Sequence, residues 1–148
     1  NRLTLIDNGM GYKQDEKFFA YYFLNGDDTL EKSLAKYGFS KKDITDVFLT
    51  HLHFDHCGGS IERVGDKLIP AFSSATYWSN EKHWQWATHP NDREKASFLK
   101  ENILPIKESG QLKFLEIIDA IDFTNVMKIR FVSGHTESMM LPQIQYKG

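Results

Sequence analysis

A chain of 148 residues, 41% hydrophobic and 26% charged, can enclose one core and has the composition of an ordinary globular domain. Its net charge of -2, with no basic run, argues against nucleic acid as a partner, and its single cysteine, Cys57, rules out an internal disulfide. No apolar stretch approaches the ~20 residues of a membrane span, so no membrane partner is expected. No signal peptide is visible, although the chain starts at Asn1 without a methionine. The cytoplasm is the expected compartment.

Residues 1–8 alternate around Leu3, Leu5 and Asp7 and predict a strand. Asp7, beside Gly9 and Gly11, can accept backbone N–H groups from a neighbouring loop or can simply be solvated. The aromatic run 18–24 reads as a strand or a buried segment. Asn25-Gly26-Asp27-Asp28 is a turn. Asp28 with Glu31 resembles the capping box of a helix whose Leu30, Leu34 and Tyr37 share one face, and Gly38 is placed to end it. Ser40-Lys41-Lys42-Asp43 begins a short turn or helix. The apolar run Asp46-Val47-Phe48-Leu49-Thr50 then reads as a buried strand. Strand, helix and strand make a βαβ unit, whose ligands sit at the carboxyl end of the second strand.

At that end lies Thr50-His51-Leu52-His53-Phe54-Asp55-His56-Cys57-Gly58-Gly59. In extended backbone, residues two apart point the same way, so His51 and His53 can aim two imidazoles at one ion. Past the strand end the chain turns, which lets Asp55 and His56 face the same space from another side. Imidazole nitrogen and carboxylate oxygen suit zinc, and also iron or manganese. A lone histidine here would read as a surface residue; four ligand-type side chains at this spacing do not. Gly58 and Gly59 let the backbone pass close to the loop. Residues 60–64 are expected to start a helix whose N-terminal dipole favours anionic substrate atoms.

Further along, Lys67-Leu68-Ile69-Pro70 and Ala75-Thr76-Tyr77-Trp78 predict short strands, and residues 80–87 a helix broken by Pro90. Asn91 with Glu94 caps a further helix that stops before Pro105, with Ala96, Leu99 and Ile103 as its apolar stripe. Residues 111–117, 126–132 and 139–146 predict strands. His135 follows a strand and sits beside Gly134, where it is either a surface histidine or a ligand. His83 and His89 read as surface or packing residues. Tyr77, Trp78, Trp84 and Trp86 read as core aromatics ahead of a substrate wall.

The pattern His51-x-His53-x-Asp55-His56 followed by Gly58-Gly59 resembles the signature of the metallo-β-lactamase-fold hydrolases. Leu5-Ile6-Asp7-Asn8-Gly9 is similar to that family's early strand, and Ser133-Gly134-His135-Thr136 to its later metal loop. Residues 75–78 and 98–105 resemble the branch of quorum-quenching lactonases and organophosphate hydrolases. The resemblance implies an α/β αββα sandwich over one domain, residues 1–148, incomplete at both ends, because resembling proteins are longer and carry a further aspartate and histidine downstream. It implies that His51, His53 and His135 hold one zinc ion, that Asp55 and His56 share a second, that Asp55 is catalytic, and that Asp7 braces the loop. Cys57, which the family pattern does not use as a ligand, is expected to be a packed neutral thiol. The implied reaction is hydrolysis of a small-molecule ester, lactone or phosphotriester by water acidified on the metal, from a pKa of about 15.7 to about 7. A homodimer is the expected assembly, and the short chain alone is expected to be a weak or inactive catalyst and a weak metal binder. An iron-dependent thiol dioxygenase of the same fold and a non-catalytic metal-binding module are the alternatives. Flavodiiron proteins carry glutamate where His53 stands, which argues against them.

Overall fold

The computed structural model describes residues 2–147. Strand β1 (Thr4–Ile6) is followed by helices α1 (Glu16–Ala20) and α2 (Leu30–Lys36), then β2 (Asp46–Phe48) and a single helical turn, α3 (Phe54–Cys57). A hairpin of β3 (Ile61–Val64) and β4 (Lys67–Pro70) precedes β5 (Thr76–Asn80), α4 (Glu81–Thr88), α5 (Lys100–Glu108) and β6 (Leu112–Leu115). The chain closes with β7 (Ile121–Thr124), β8 (Met127–Val132) and β9 (Met139–Ile144).

The βαβ unit forms as the sequence predicts. β1 and β2 pair in parallel, and β5 and β6 extend the sheet in the order β1-β2-β5-β6. The sheet is buried on both faces, and successive residues alternate between two cores. Val47 and Tyr77 face α4 and α5 with Trp84, Ala87, Ile103 and Ile106. Phe48 and Trp78 face the antiparallel β7-β8-β9 sheet with Phe123, Met127, Ile129 and Met140. Helices, parallel sheet and antiparallel sheet thus make three successive layers of the expected sandwich. Arg2 staples the two sheets: its guanidinium donates to both oxygens of Asp46 (2.8 and 2.7 Å) and to the Phe123 carbonyl (3.0 Å).

Several elements differ from expectation, each for a local reason. The aromatic run 18–24 is neither strand nor buried. Asp15 caps Phe18 N–H at 2.7 Å and starts α1, while Tyr21 and Phe23 are 70% and 83% exposed. Thr29, not Asp28, caps α2, and Gly38 closes it as expected at φ +79°, with Gly38 N–H to Ala35 O and Phe39 N–H to Leu34 O. Residues 61–64 form a strand, not a helix. Gly65, at φ +59°, opens a two-residue turn that pairs Val64 with Lys67, so no helix dipole follows the double glycine. Asn91 does accept Glu94 N–H (3.0 Å), but only a turn results, because residues 94–98 are drawn toward the histidines, as described below. The helix begins instead at Lys100 and runs through Pro105, held by fully buried Ile103 and Ile106; Ala96 is exposed. β7 had no distinct sequence signal.

Among the described residues, no helix is long and apolar enough to cross a membrane.

Candidate metal centre

β2 ends at Phe48, and the chain leaves the sheet through residues 49–53, bending at Thr50 and His53. Its N–H groups, freed from strand pairing, find partners at alternate positions. Thr50 N–H donates to Asp7 Oδ1 (2.8 Å), Leu52 N–H to His83 Nε2 (2.9 Å) and Phe54 N–H to the Ser97 carbonyl (2.9 Å). A buried N–H left without such a partner costs about 1–3 kcal/mol. The intervening side chains, His51 and His53, project to the other side, 2% and 5% exposed.

His135 meets them from the loop between β8 and β9. One ring atom from each of His51, His53 and His135 lies within 4.8 Å of the other two. The ring centroids are 4.7 Å apart for His51–His53, 5.2 Å for His51–His135 and 4.9 Å for His53–His135. His135 is exposed, so the cluster is closed at its base and open at its rim.

The hydrogen bonds fix where the lone pairs point. The Thr50 hydroxyl donates to Asp7 Oδ2 (2.7 Å), so its oxygen is an acceptor for His51 Nδ1–H (3.0 Å). That leaves His51 Nε2 unprotonated, and it has no hydrogen-bond partner. Nε2 of His53 is likewise buried and unpartnered. Two orphaned buried nitrogens converging on a third imidazole are the arrangement a divalent ion would satisfy, so the donor set fits a metal. Burial pushes the His51 ring down to about 2, with His56 and His53 adding repulsion, and burial, then His135, lowers His53. Both rings therefore stay neutral, the form that binds metal.

Asp7 is the support for the whole motif. One carboxylate oxygen takes the Thr50 N–H; the other takes the Thr50 hydroxyl and His56 Nδ1–H (2.8 Å). Asp7 sits at φ +53°, a left-handed conformation that aspartate tolerates better than most residues. The double glycine lies against the same segment. A Cβ on Gly58 would meet the Met10 carbonyl oxygen at 2.1 Å, and one on Gly59 the Asn8 carbonyl oxygen at 2.3 Å, so close approach is why both lack side chains.

Asp55 and His56 form a separate corner. His56 stacks on His51 at 3.9 Å between centroids, and its Nε2 lies 3.5 Å from Asp55 Oδ2. These two side chains are 35% and 51% exposed, respectively, unlike the buried pair behind them. Cys57 is buried and neutral, its thiol donating to Leu52 O at 3.3 Å and pushed up to about 12 by burial. The four aromatics separate into different contacts: Tyr77 beside Phe72, Trp78 beside Phe123, Trp84 beside Phe114, and Trp86 donating to Glu94.

Sequence reading missed three supporting residues. Of the two readings of His83, surface or packing, burial decides for packing: it is 1% exposed, and it also holds Leu52. His89 is exposed, on the far end of α4. Glu94, read as a cap partner, accepts Trp86 Nε1–H (3.0 Å) and the Thr136 hydroxyl (2.7 Å), with Oε2 3.7 Å from His53 Nε2. Burial raises its carboxyl, but these donors and His53 bring it below the ordinary value. Phe98 packs its ring 4.6 Å from that of His53. Their spacing in the chain carries no signal, because each reaches the site through the fold.

Solved structures share this architecture. A probable metal-dependent hydrolase from Staphylococcus aureus is 26% identical, with a TM-score of 0.84, over 97% of this chain and 50% of its own. AidC, a dizinc quorum-quenching lactonase in complex with a product, is 25% identical, with a TM-score of 0.71, over 99% and 49%. AiiA from B. thuringiensis, with N-decanoyl-L-homoserine at its active site, is 22% identical with a TM-score of 0.69, a likeness of fold, over 97% and 54%. The chain thus spans about half the length of these proteins. No curated protein matches it. The family model for the metallo-beta-lactamase superfamily matches residues 1–123, the stretch that carries Asp7 and the whole histidine motif, and the chain belongs to that superfamily.

Proposed function

We propose that this chain carries the metal-binding half of a hydrolase acting on a small ester, lactone or phosphotriester. The observation that carries the reading is the pair of buried, unpartnered Nε2 atoms of His51 and His53 converging with His135. These three would hold one divalent ion, zinc in the first instance, and Asp55 with His56 would line the position of a second. When bound, such ions acidify water to a pKa near 7 and polarise the scissile carbonyl or phosphoryl group. The chain's own residues supply the rest. Asp7, through Thr50 and directly, holds the protons of His51 and His56 on Nδ1, leaving the lone pairs of both Nε2 atoms free to bind a metal. Asp55, exposed at the rim, is the group we assign to orient water and accept its proton. Phe54, within the motif, meets Phe18 edge-on (5.3 Å) and Tyr22 at a tilt (5.1 Å), an aromatic cluster suited to an apolar part of the substrate. An acyl-homoserine product bound in AidC is consistent with that substrate class.

Elemental analysis of the purified chain, followed by assays of zinc-loaded protein on lactones and phosphotriesters, tests the proposal. Zinc binding and slow turnover, both lost in His53→Ala, are expected. Iron content with thiol-dependent oxygen uptake and no hydrolysis would instead support an oxidoreductase.

A further inference from the structure

The three converging histidines come from two loops distant in sequence, one carrying His51 and His53 and the other His135. The separation of those loops decides whether three imidazoles can reach one ion. One backbone bond, Met140 N–H to Thr50 O (2.9 Å), links the incoming end of the first segment to the outgoing end of the second. The link nearest the histidines is a side chain. His83, in the first turn of α4, accepts Leu52 N–H on Nε2 at 2.9 Å, and Leu52 lies between His51 and His53. Because that N–H can only donate, the His83 proton sits on Nδ1, where it donates to the Glu137 carbonyl (2.5 Å), two residues past His135. Both ring nitrogens are therefore used, and His83 is no ligand; its ring centroid is 6.4 Å from that of His51.

The surroundings hold this bridge rigid. Asn80, fully buried, accepts His83 N–H on Oδ1 (2.8 Å) and donates from Nδ2 to Ser138 O (2.8 Å). Ser138, at φ +54°, is in a conformation that few non-glycine residues adopt, and its hydroxyl donates to the same Asn80 oxygen (3.1 Å). The start of α4 thus grips the later loop at two consecutive residues and the earlier loop at one.

We propose that His83 is a positioning residue that clamps the two ligand loops at a fixed separation and thereby sets the metal affinity of the His51-His53-His135 centre. The proposal rests on the reading of those three histidines as ligands. Its two hydrogen bonds can be removed separately. His83→Asn keeps a donor near the Nδ1 position but loses the acceptor for Leu52. His83→Gln keeps an acceptor near Nε2 but loses the donor to Glu137. His83→Phe keeps the ring volume and loses both.

The test titrates zinc into the full 148-residue chain against a chromophoric chelator, records the visible spectrum of the cobalt(II) form, and measures the melting temperature of the metal-free protein. Outer partners of metal ligands are typically worth about 10–100-fold in affinity, so His83→Asn and His83→Gln should each weaken zinc about tenfold and His83→Phe more, with altered cobalt spectra. Ile106→Ala, a buried substitution on α5 that lowers the melting temperature, should leave zinc affinity and the cobalt spectrum unchanged. Parent-like zinc affinity and cobalt spectra in the His83 variants overturn the inference. So does an equal loss of zinc affinity in Ile106→Ala, which would reduce His83 to general stability. If His83→Phe does not fold, the Asn and Gln variants decide alone. His51→Ala is the separate control: parent-like zinc binding there removes the ligand reading, and the clamp with it, whereas lost binding there with intact His83 variants removes only the clamp.

Discussion

The buried pair His51 and His53 and the more open corner of Asp55 and His56 lie side by side on one turn of chain, yet they are built differently. His51 and His53 are dehydrated, neutral and locked from behind, with Asp7 and Thr50 setting the His51 proton and His83 and Ser97 taking the backbone N–H groups. Asp55 is exposed and His56 half-buried, and only His56 is tied back, through Asp7. Preorganisation is therefore concentrated where the chain supplies a full set of three nitrogens. At the corner, two side chains leave most of a coordination shell to be supplied by other groups. A metal should bind the first position from this chain's residues alone and the second weakly.

The sharpest way to break that contrast is to delete a buried histidine. His51→Ala should abolish zinc retention, a loss exceeding the about 100-fold upper range for outer-shell partners, as read by equilibrium dialysis with elemental analysis. Near-parent zinc content would make the triad a mere packing cluster.

Removing the shared support should come next. Asp7→Ala frees the Thr50 N–H, the Thr50 hydroxyl and His56 Nδ1–H together. Zinc affinity should fall about 10–100-fold. Asp7→Asn, which keeps the tolerance for φ +53° but puts an amide N–H against one of those donors, should fall in between. Equal affinities for parent and Asp7→Ala in the chelator competition would show that the brace is dispensable.

Acid provides a third test of the buried side. His83 is held down to about 4 by burial, against about 6.5 in an unfolded chain. Between these values the unfolded chain binds more protons, so stability rises with pH. His83's contribution is complete above about pH 6.5 and is lost as pH falls toward about 4, by up to about 3 kcal/mol. Thermal melts of the metal-free chain should follow that slope, and His83→Gln should flatten it. An unchanged slope in the variant would place the acid sensitivity elsewhere.

The smallest effect belongs to the corner. Asp55→Asn should alter zinc affinity at the triad and melting temperature only within the range of surface substitutions, about 0.5 kcal/mol, while removing hydrolysis. A large loss of the first zinc in isothermal titration would mean that Asp55 helps hold the buried position, and the two regions would have to be treated as one.

Much of this was legible in the residues themselves. The 46–50 run, the βαβ order, Gly38 as a helix stop and the His51–His56 spacing are local signals. Periodicity, a left-handed glycine and the two-residue repeat of extended backbone act within a few residues, so one sequence displays them. The rest depended on contacts between distant segments. Residues 61–64 became a strand because a Gly65-Asp66 turn returned β4 beside them. Residues 94–98 left the helical path because Ser97, Phe98 and Glu94 pack onto the histidine loop. His83 read as a surface or packing residue, and its role exists only because Leu52 and Glu137, 31 and 54 residues away, are folded against its two nitrogens. The motif alone names which side chains can bind a metal; which of them are neutral, dry and aimed is decided by what the tertiary structure packs behind them, since desolvation and hydrogen-bond direction are properties of the surroundings.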